Sequence, residues 1–340
     1  MSPNRTLDRQ RRQFLARTSA VGAAAFLGLP GQATAADPPP EIKKIRLLHV
    51  PAICHAPQYL AEEMLHLEGI TEVEYVPFGT RYIPDALATS KADMSMWNAM
   101  EFIPYLDANK PVVVLAGIHG GCFEVFANER VRSIRDLKGK TVAIMYFGGG
   151  DHILLSSMLA YVGIDPREVN WMPGTTSLLD AMDAFTSGKA DAFVGFAQQP
   201  VELRAKKIGH VIVSTTTDRP WSQYYCCMLG ANRDFVQRYP VTTKRAMRAI
   251  LKATDICAND PLQVARFLAD KLYEPRYQIG LEVVKSLPYN RWREANPEDT
   301  IRFHALRLHE VGMIKSTPQK LIAQGTDWRF LNELKKELKA

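Results

Sequence analysis

Along the chain, short apolar runs alternate with segments whose apolar residues recur at helical spacing. Ile45 to Val50 is followed by Gln58 to Leu67, then Val73 to Val76, then Pro84 to Thr89. Strand and helix in alternation predict an α/β sheet. Further strands are expected at Met94 to Met96, Val112 to Gly117, Val125 to Ala127, Thr141 to Met145, Val169 to Met172, Ala192 to Val194 and Val211 to Val213, each bounded by Gly, Pro, Asn or Asp. After about Asn232 the pattern turns helical, with 3.6-residue spacing in Lys244 to Cys257, Pro261 to Leu272 and Pro297 to Val311.

Thr89-Ser90-Lys91-Ala92-Asp93 returns as Thr186-Ser187-Gly188-Lys189-Ala190-Asp191, each copy closing a helix and entering a strand. The echo suggests two similar α/β lobes. A glycine-centred link, Ile118-His119-Gly120-Gly121-Cys122, is a hinge candidate, and a second crossing is expected between Thr215 and Cys227. The domain reading is lobe one at 45–119, lobe two at 122–215, and a return at 225–340 to lobe one and a helical C-terminal segment.

The 340 residues carry 46% hydrophobic and 23% charged side chains, the composition of a folded protein with room for about two domains. The formal charge of +6 is concentrated at the start. Residues 1–35 hold five arginines and one acid, leaving 37 basic against 35 acidic side chains, which is no footprint for nucleic acid. In that stretch Arg11-Arg12-Gln13-Phe14-Leu15 precedes an apolar run from Ala20 to Leu29, too short to span a bilayer, and an Ala33-Thr34-Ala35 ending. This reads as a twin-arginine-type export signal over 1–35, cleaved after Ala35, with 36–44 as a linker and a soluble periplasmic mature protein.

The stretch Ser133 to Ile144, with its Asp136-Leu137-Lys138-Gly139-Lys140-Thr141-Val142 element, runs into a glycine-rich turn and Asp151-His152-Ile153-Leu154-Leu155. With Ala56-Pro57-Gln58-Tyr59, the Lys-Ala-Asp turns and Val162-Gly163-Ile164-Asp165-Pro166, it resembles the periplasmic solute-binding proteins of ABC importers. The resemblance is to the nitrate, taurine and alkanesulfonate group and its relatives that bind thiamine-pyrimidine precursors. It implies a two-lobe periplasmic-binding-protein fold of type II-like form, each lobe a mixed sheet flanked by helices. It also implies a monomer that closes on a small molecule and delivers it to a membrane permease.

In open α/β sheets ligands sit beyond the carboxyl ends of the strands. The loops there offer His55, Trp97, Asn98, His119, Gly149, Gly150, Asp151, Thr175, Phe196, Gln198, Trp221 and Tyr224 as ligand-binding candidates. Asp151 reads as the N-cap of the helix after the three glycines, and its charge argues against a strongly anionic ligand. The aromatic residues supply flat apolar walls, so a small planar ligand, neutral or weakly charged, is expected.

Cys54, His55, His119, Cys122, Cys226 and Cys227 all fall at strand ends or crossings, but no Cys-x-x-Cys or His-x-x-x-His spacing occurs. The cysteines are therefore expected to be small buried hydrophobes, with no metal, no cofactor and no catalytic residue. Two other readings stand beside the importer component. One is an exported Cys/His metal-dependent enzyme related to pyrimidine-precursor synthases; before Asn232, however, this chain has only Cys226 and Cys227 where those enzymes carry a denser cysteine motif. The other is a ligand-sensing subunit of a membrane receptor.

Replacing Arg11 and Arg12 by lysine is expected to leave the precursor in the cytoplasm, scored by cell fractionation. Unchanged export would show a signal of the general secretory type.

Overall fold

The central strands are apolar on both faces, and that is what organises the chain. The computed structural model describes residues 37–77, 83–174, 180–196 and 198–339. The export signal at 1–35, with Arg11 and Arg12, and the candidate Thr175 lie outside these.

In chain order the first half of the molecule is β1 (Lys44–His49), α1 (Ala56–Leu67), β2 (Glu72–Pro77), α2 (Ile83–Ala88), β3 (Met94–Asn98), α3 (Ala99–Asp107) and β4 (Val112–Gly120). The chain then enters β5 (Phe123–Ala127), β6 (Thr141–Ile144), α4 (Gly150–Tyr161), β7 (Asn170–Pro173), α5 (Asp180–Thr186), β8 (Ala192–Phe196), α6 (Gln198–Lys206) and β9 (His210–Ser214). It returns through β10 (Tyr225–Asn232) and ends in α7 (Arg233–Arg238), α8 (Pro240–Asn259), α9 (Pro261–Asp270), α10 (Tyr277–Ser286), α11 (Pro297–Glu310), α12 (Pro318–Gly325) and α13 (Arg329–Glu337).

Two five-stranded mixed sheets result, ordered β2-β1-β3-β10-β4 and β7-β6-β8-β5-β9, both within one compact unit, Pro39–Ala340. The two orders are the same pattern twice. In each sheet three parallel strands are followed by an antiparallel strand that the chain enters just after crossing between the sheets, β10 in the first and β5 in the second. Strands β3, β4 and β10 are buried at every position, as strands covered on both faces must be, whereas the edge strand β2 is half exposed.

The repeated Lys-Ala-Asp turn has the same task in both sheets. Asp93 accepts from the backbone N–H of Arg46 in β1 at 2.7 Å and from its guanidinium at 2.5 Å. Asp191 accepts from the N–H of Thr141 in β6 at 3.1 Å and from Asn128 at 2.9 Å, and it also pairs with Arg130. Each carboxylate thus stitches the strand it precedes to its parallel neighbour.

Two sequence readings are corrected here. The glycine-centred link does not begin at Ile118, because β4 continues through His119 to Gly120. The turn is only Gly121 and Cys122, at φ 73° and 86°; a Cβ on Gly121 would lie 2.6 Å from Thr216 Oγ1. Tyr225 to Cys227, expected to end the second crossing, instead opens a fully buried strand that runs to Asn232 in the first sheet, where no strand was expected.

The C-terminal helices pack on the first sheet and also reach the second. Helix α11 packs against both α3 and α4, and α10 packs against α6. His304 on α11 lies 3.3 Å from Ser157 Oγ on α4, and Arg276 pairs with Glu202 on α6 at 2.8 Å. Among the described residues no helix is long and apolar enough to cross a membrane.

Candidate functional site

The strand ends of the two sheets face one another, and two small cavities lie between them. The first is lined by Cys54, His55, Trp97 and Asn98 from one sheet, Phe123, Met145 and Phe196 from the other, and Cys122, Cys226 and Cys227 at the crossings. The second is lined by Met100, Leu154, Thr215, Trp221, Tyr224 and His304, and it shares Phe123 and Cys226 with the first. Each has a volume of about 10 Å³, room for one water-sized occupant. A wider depression of about 780 Å³ lies elsewhere, at the ends of α4 and α11, and none of the candidate residues lines it.

Helix α3 begins with Asn98, whose Oδ1 accepts from the Glu101 N–H at 3.0 Å, so Asn98-x-x-Glu101 has the spacing of a capping box. Glu101 is 1% exposed, and its carboxylate crosses the gap between the sheets. Oε1 accepts from Asn98 Nδ2 at 2.9 Å and from the Gly150 N–H, in the first turn of α4, at 2.7 Å; the Tyr146 hydroxyl lies 3.4 Å from Oε2. Approach is so close that a Cβ on Gly150 would sit 2.5 Å from Asn98 Nδ2. The positive end of α4 is therefore already answered by a carboxylate of the protein itself.

Asp151 is not the N-cap. Gly149 occupies that position without a side-chain bond, and Asp151 folds back so that Oδ2 accepts from the Met145 N–H at 2.5 Å. Burial pushes the Asp151 carboxyl up to about 7, against the pull of the Met145 and His152 amides and with Glu101 adding to the rise. Burial likewise raises Glu101, opposed by its bonds to Asn98, Trp97, Gly150 and Tyr146. His152 is held down to about 4 by burial and accepts from the Gly148 N–H through Nδ1.

The other candidates divide by surroundings. His55 is buried, donates to the Met96 carbonyl at 3.0 Å, and lies beside Cys54 and Trp97. Burial lowers its pKa. Trp221 and Tyr224 pack on α11, with the Tyr224 ring stacked on Phe303 at 4.1 Å and Trp221 edge-on to it at 5.4 Å. Phe196 meets Phe123 across the cavity wall at 5.9 Å, and the buried Oε1 of Gln198 has no hydrogen-bond partner among the described residues.

Sequence reading missed Glu101 and Tyr146, and it treated the cysteines as separate small hydrophobes. Four of them meet. In a regular strand Cys226 and Cys227 would point to opposite faces, but β10 shifts register against β4 on both sides of Cys227, and both cysteines reach the first cavity. Cys227 and Cys122 are held well below the usual thiol range by hydrogen bonds from neighbouring thiols, which prevail over burial; Cys54 and Cys226, the donors, are raised. Burial would lower His119, but the negative Cys227 and Cys122 lift it to about 9. One ligand atom each from Cys54, His119 and Cys227 lies within 4.8 Å of the others, a group that could hold a metal ion.

Two mixed sheets with facing strand ends and a buried polar and aromatic gap define the fold of the periplasmic binding proteins. A family model described as NMT1/THI5 like matches residues 54–264, and the chain belongs to that family. The periplasmic nitrate-binding protein NrtA from Synechocystis PCC 6803 superposes with a TM-score of 0.70 at 14% identity, over 89% of this chain and 90% of that one. The alkanesulfonate-binding protein SsuA from Xanthomonas axonopodis pv. citri, bound to MOPS, gives 0.67 at 16% identity over 86% and 100%. The putative periplasmic sulfonate-binding protein SsuA from Methylobacillus flagellatus KT gives 0.63 at 21% over 88% and 95%. No curated protein matches the chain.

A group whose folded pKa lies above its unfolded value binds more protons when folded, so its contribution is complete below about pH 4 and is lost as pH rises through about 7. Asp151→Asn is expected to remove up to about 1.4 kcal/mol per pH unit of slope from unfolding free energy between pH 5 and 7, measured by urea denaturation. Identical slopes in the two proteins would refute the buried-acid assignment.

Proposed function

We propose that the chain is the periplasmic substrate-binding component of an ABC importer, exported with its signal removed, that captures a small planar ligand between its two sheets and hands it to a permease. Membership of the NMT1/THI5-like family and the likeness to importer-binding folds support the class. In this reading the chain is a receptor, and closure is the signal the permease reads, because a ligand touching both lobes favours the closed form by its difference in affinity for the two.

The observation that carries the ligand class is Glu101. The similar structures named above are receptors for nitrate or sulfonates, but here the Gly150 amide is bonded at 2.7 Å to a carboxylate of the chain, with Asp151 beside it. A second anion at this turn would meet Glu101 at close range. The walls of Trp97, Phe123, Phe196 and Trp221 suit a flat apolar body, and the ligand is neutral or weakly charged.

A thermal-shift panel of nitrate, taurine, aromatic carboxylates and pyrimidine-type heterocycles tests this on the wild type and on Glu101→Ala. The wild type should be stabilised by a neutral heterocycle and unmoved by nitrate or taurine. The variant should gain a nitrate shift as the small anion takes the carboxylate's place. Stabilisation of the wild type by nitrate or taurine would overturn the assignment.

A further inference from the structure

Three separate stretches of chain bring soft donor atoms to one buried point. Cys54 follows β1, His119 stands near the end of β4, and Cys227 is the third residue of β10, all three 2% exposed or less. His119 uses Nδ1 to donate to the Gly120 carbonyl at 2.8 Å, so Nε2 is the nitrogen left to meet a metal, giving up its own proton when it does. That Nε2 is buried with no hydrogen-bond partner among the described residues. An imidazole whose Nδ1–H is fixed by a backbone carbonyl and whose Nε2 points into a cluster of thiols is arranged as metal-bound histidines are.

Ordinary packing does not account for this arrangement. Cys257 shows what a structural cysteine looks like here, alone on α8 among apolar neighbours. The other four share one cavity of about 10 Å³. The sulfurs of Cys54 and Cys227 lie within 4.8 Å of a ring nitrogen of this buried imidazole, and purely apolar packing would not bring the three together. A disulfide would consume two sulfurs and still leave the imidazole nitrogen without a partner, and all five cysteines are free.

The donor set selects the ion. It contains sulfur and imidazole and no carboxylate, so hard oxygen-seeking cations are excluded. Two thiolates and one neutral imidazole cancel the charge of a divalent ion, the condition for burying it. Tetrahedral zinc, with bonds of about 2.3 Å to sulfur and 2.0–2.1 Å to nitrogen, sets donors roughly 3.5–3.8 Å apart. The present spread of up to 4.8 Å closes with about 1 Å of movement.

We propose that Cys54, His119 and Cys227 bind one zinc(II) ion in the gap between the sheets, with one water, for which the adjoining cavity has room, as fourth donor. Each coordinating thiol gives up its proton to solvent as the sulfur–zinc bond forms. The ion would tie the first loop to both crossing strands, and the assignment stands apart from the importer reading.

The test is zinc titration of the full chain, purified under reducing conditions and shown to have five reactive thiols, against a chromophoric chelator. One zinc per chain is expected. Cys54→Ser, Cys227→Ser and His119→Gln should each weaken it about 100-fold or more, while Cys257→Ala leaves it unchanged. Cobalt(II) added to the wild type should give the strong thiolate charge-transfer and tetrahedral ligand-field bands, a readout that needs no variant to fold. A reduced wild type that takes up no zinc, cobalt spectra without thiolate bands, or equal losses in Cys54→Ser and Cys257→Ala would each overturn the proposal.

Discussion

The carboxylate of Glu101 sets the geometry between the two sheets. It belongs to a helix of the first sheet, is held in place by the capping residue Asn98, and accepts the free amide at the start of a helix on the second. A buried carboxylate without such partners would be costly, so the sheets must be close for Glu101 to be satisfied. Gly150 is glycine for the same reason, since any side chain there would strike the Asn98 amide. The cavities left between the sheets are correspondingly small, about 10 Å³ each.

The fold repeats one device in two halves. Each half lays down three parallel strands, fixes the third to the first with the aspartate of a Lys-Ala-Asp turn, and takes its antiparallel fourth strand from the chain just after it crosses between the sheets. Strands β4, β5 and β10 flank the crossings, so their ends meet where the sheets join. This is why cysteines far apart in sequence collect there.

Much of this architecture could be read from the chain. Strands buried on both faces, such as β3 and β4, stand out as apolar runs, and the repeated turn marks equivalent positions because a carboxylate has the same job in each. Strand β10 was missed because Tyr225-Cys226-Cys227 follows a turn rich in Thr, Pro and Trp and its run is broken by Gly230. His55, Trp97, Asn98 and Phe196 were placed near one another by the rule that ligands lie at strand ends. Glu101 escaped it because it sits one turn inside a helix, although its spacing from Asn98 was visible. The thiol cluster had no sequence signature, since it depends on a register shift in β10 that only the paired strands define.

The central claim is that Glu101 holds the sheets together. Small-angle scattering on the purified chain and on Glu101→Ala, both without added ligand and both checked for folding by circular dichroism, tests it most directly. The account predicts a larger radius of gyration for the variant, as the Gly150 amide loses its partner and the gap opens to water. Equal radii in two folded proteins would contradict it.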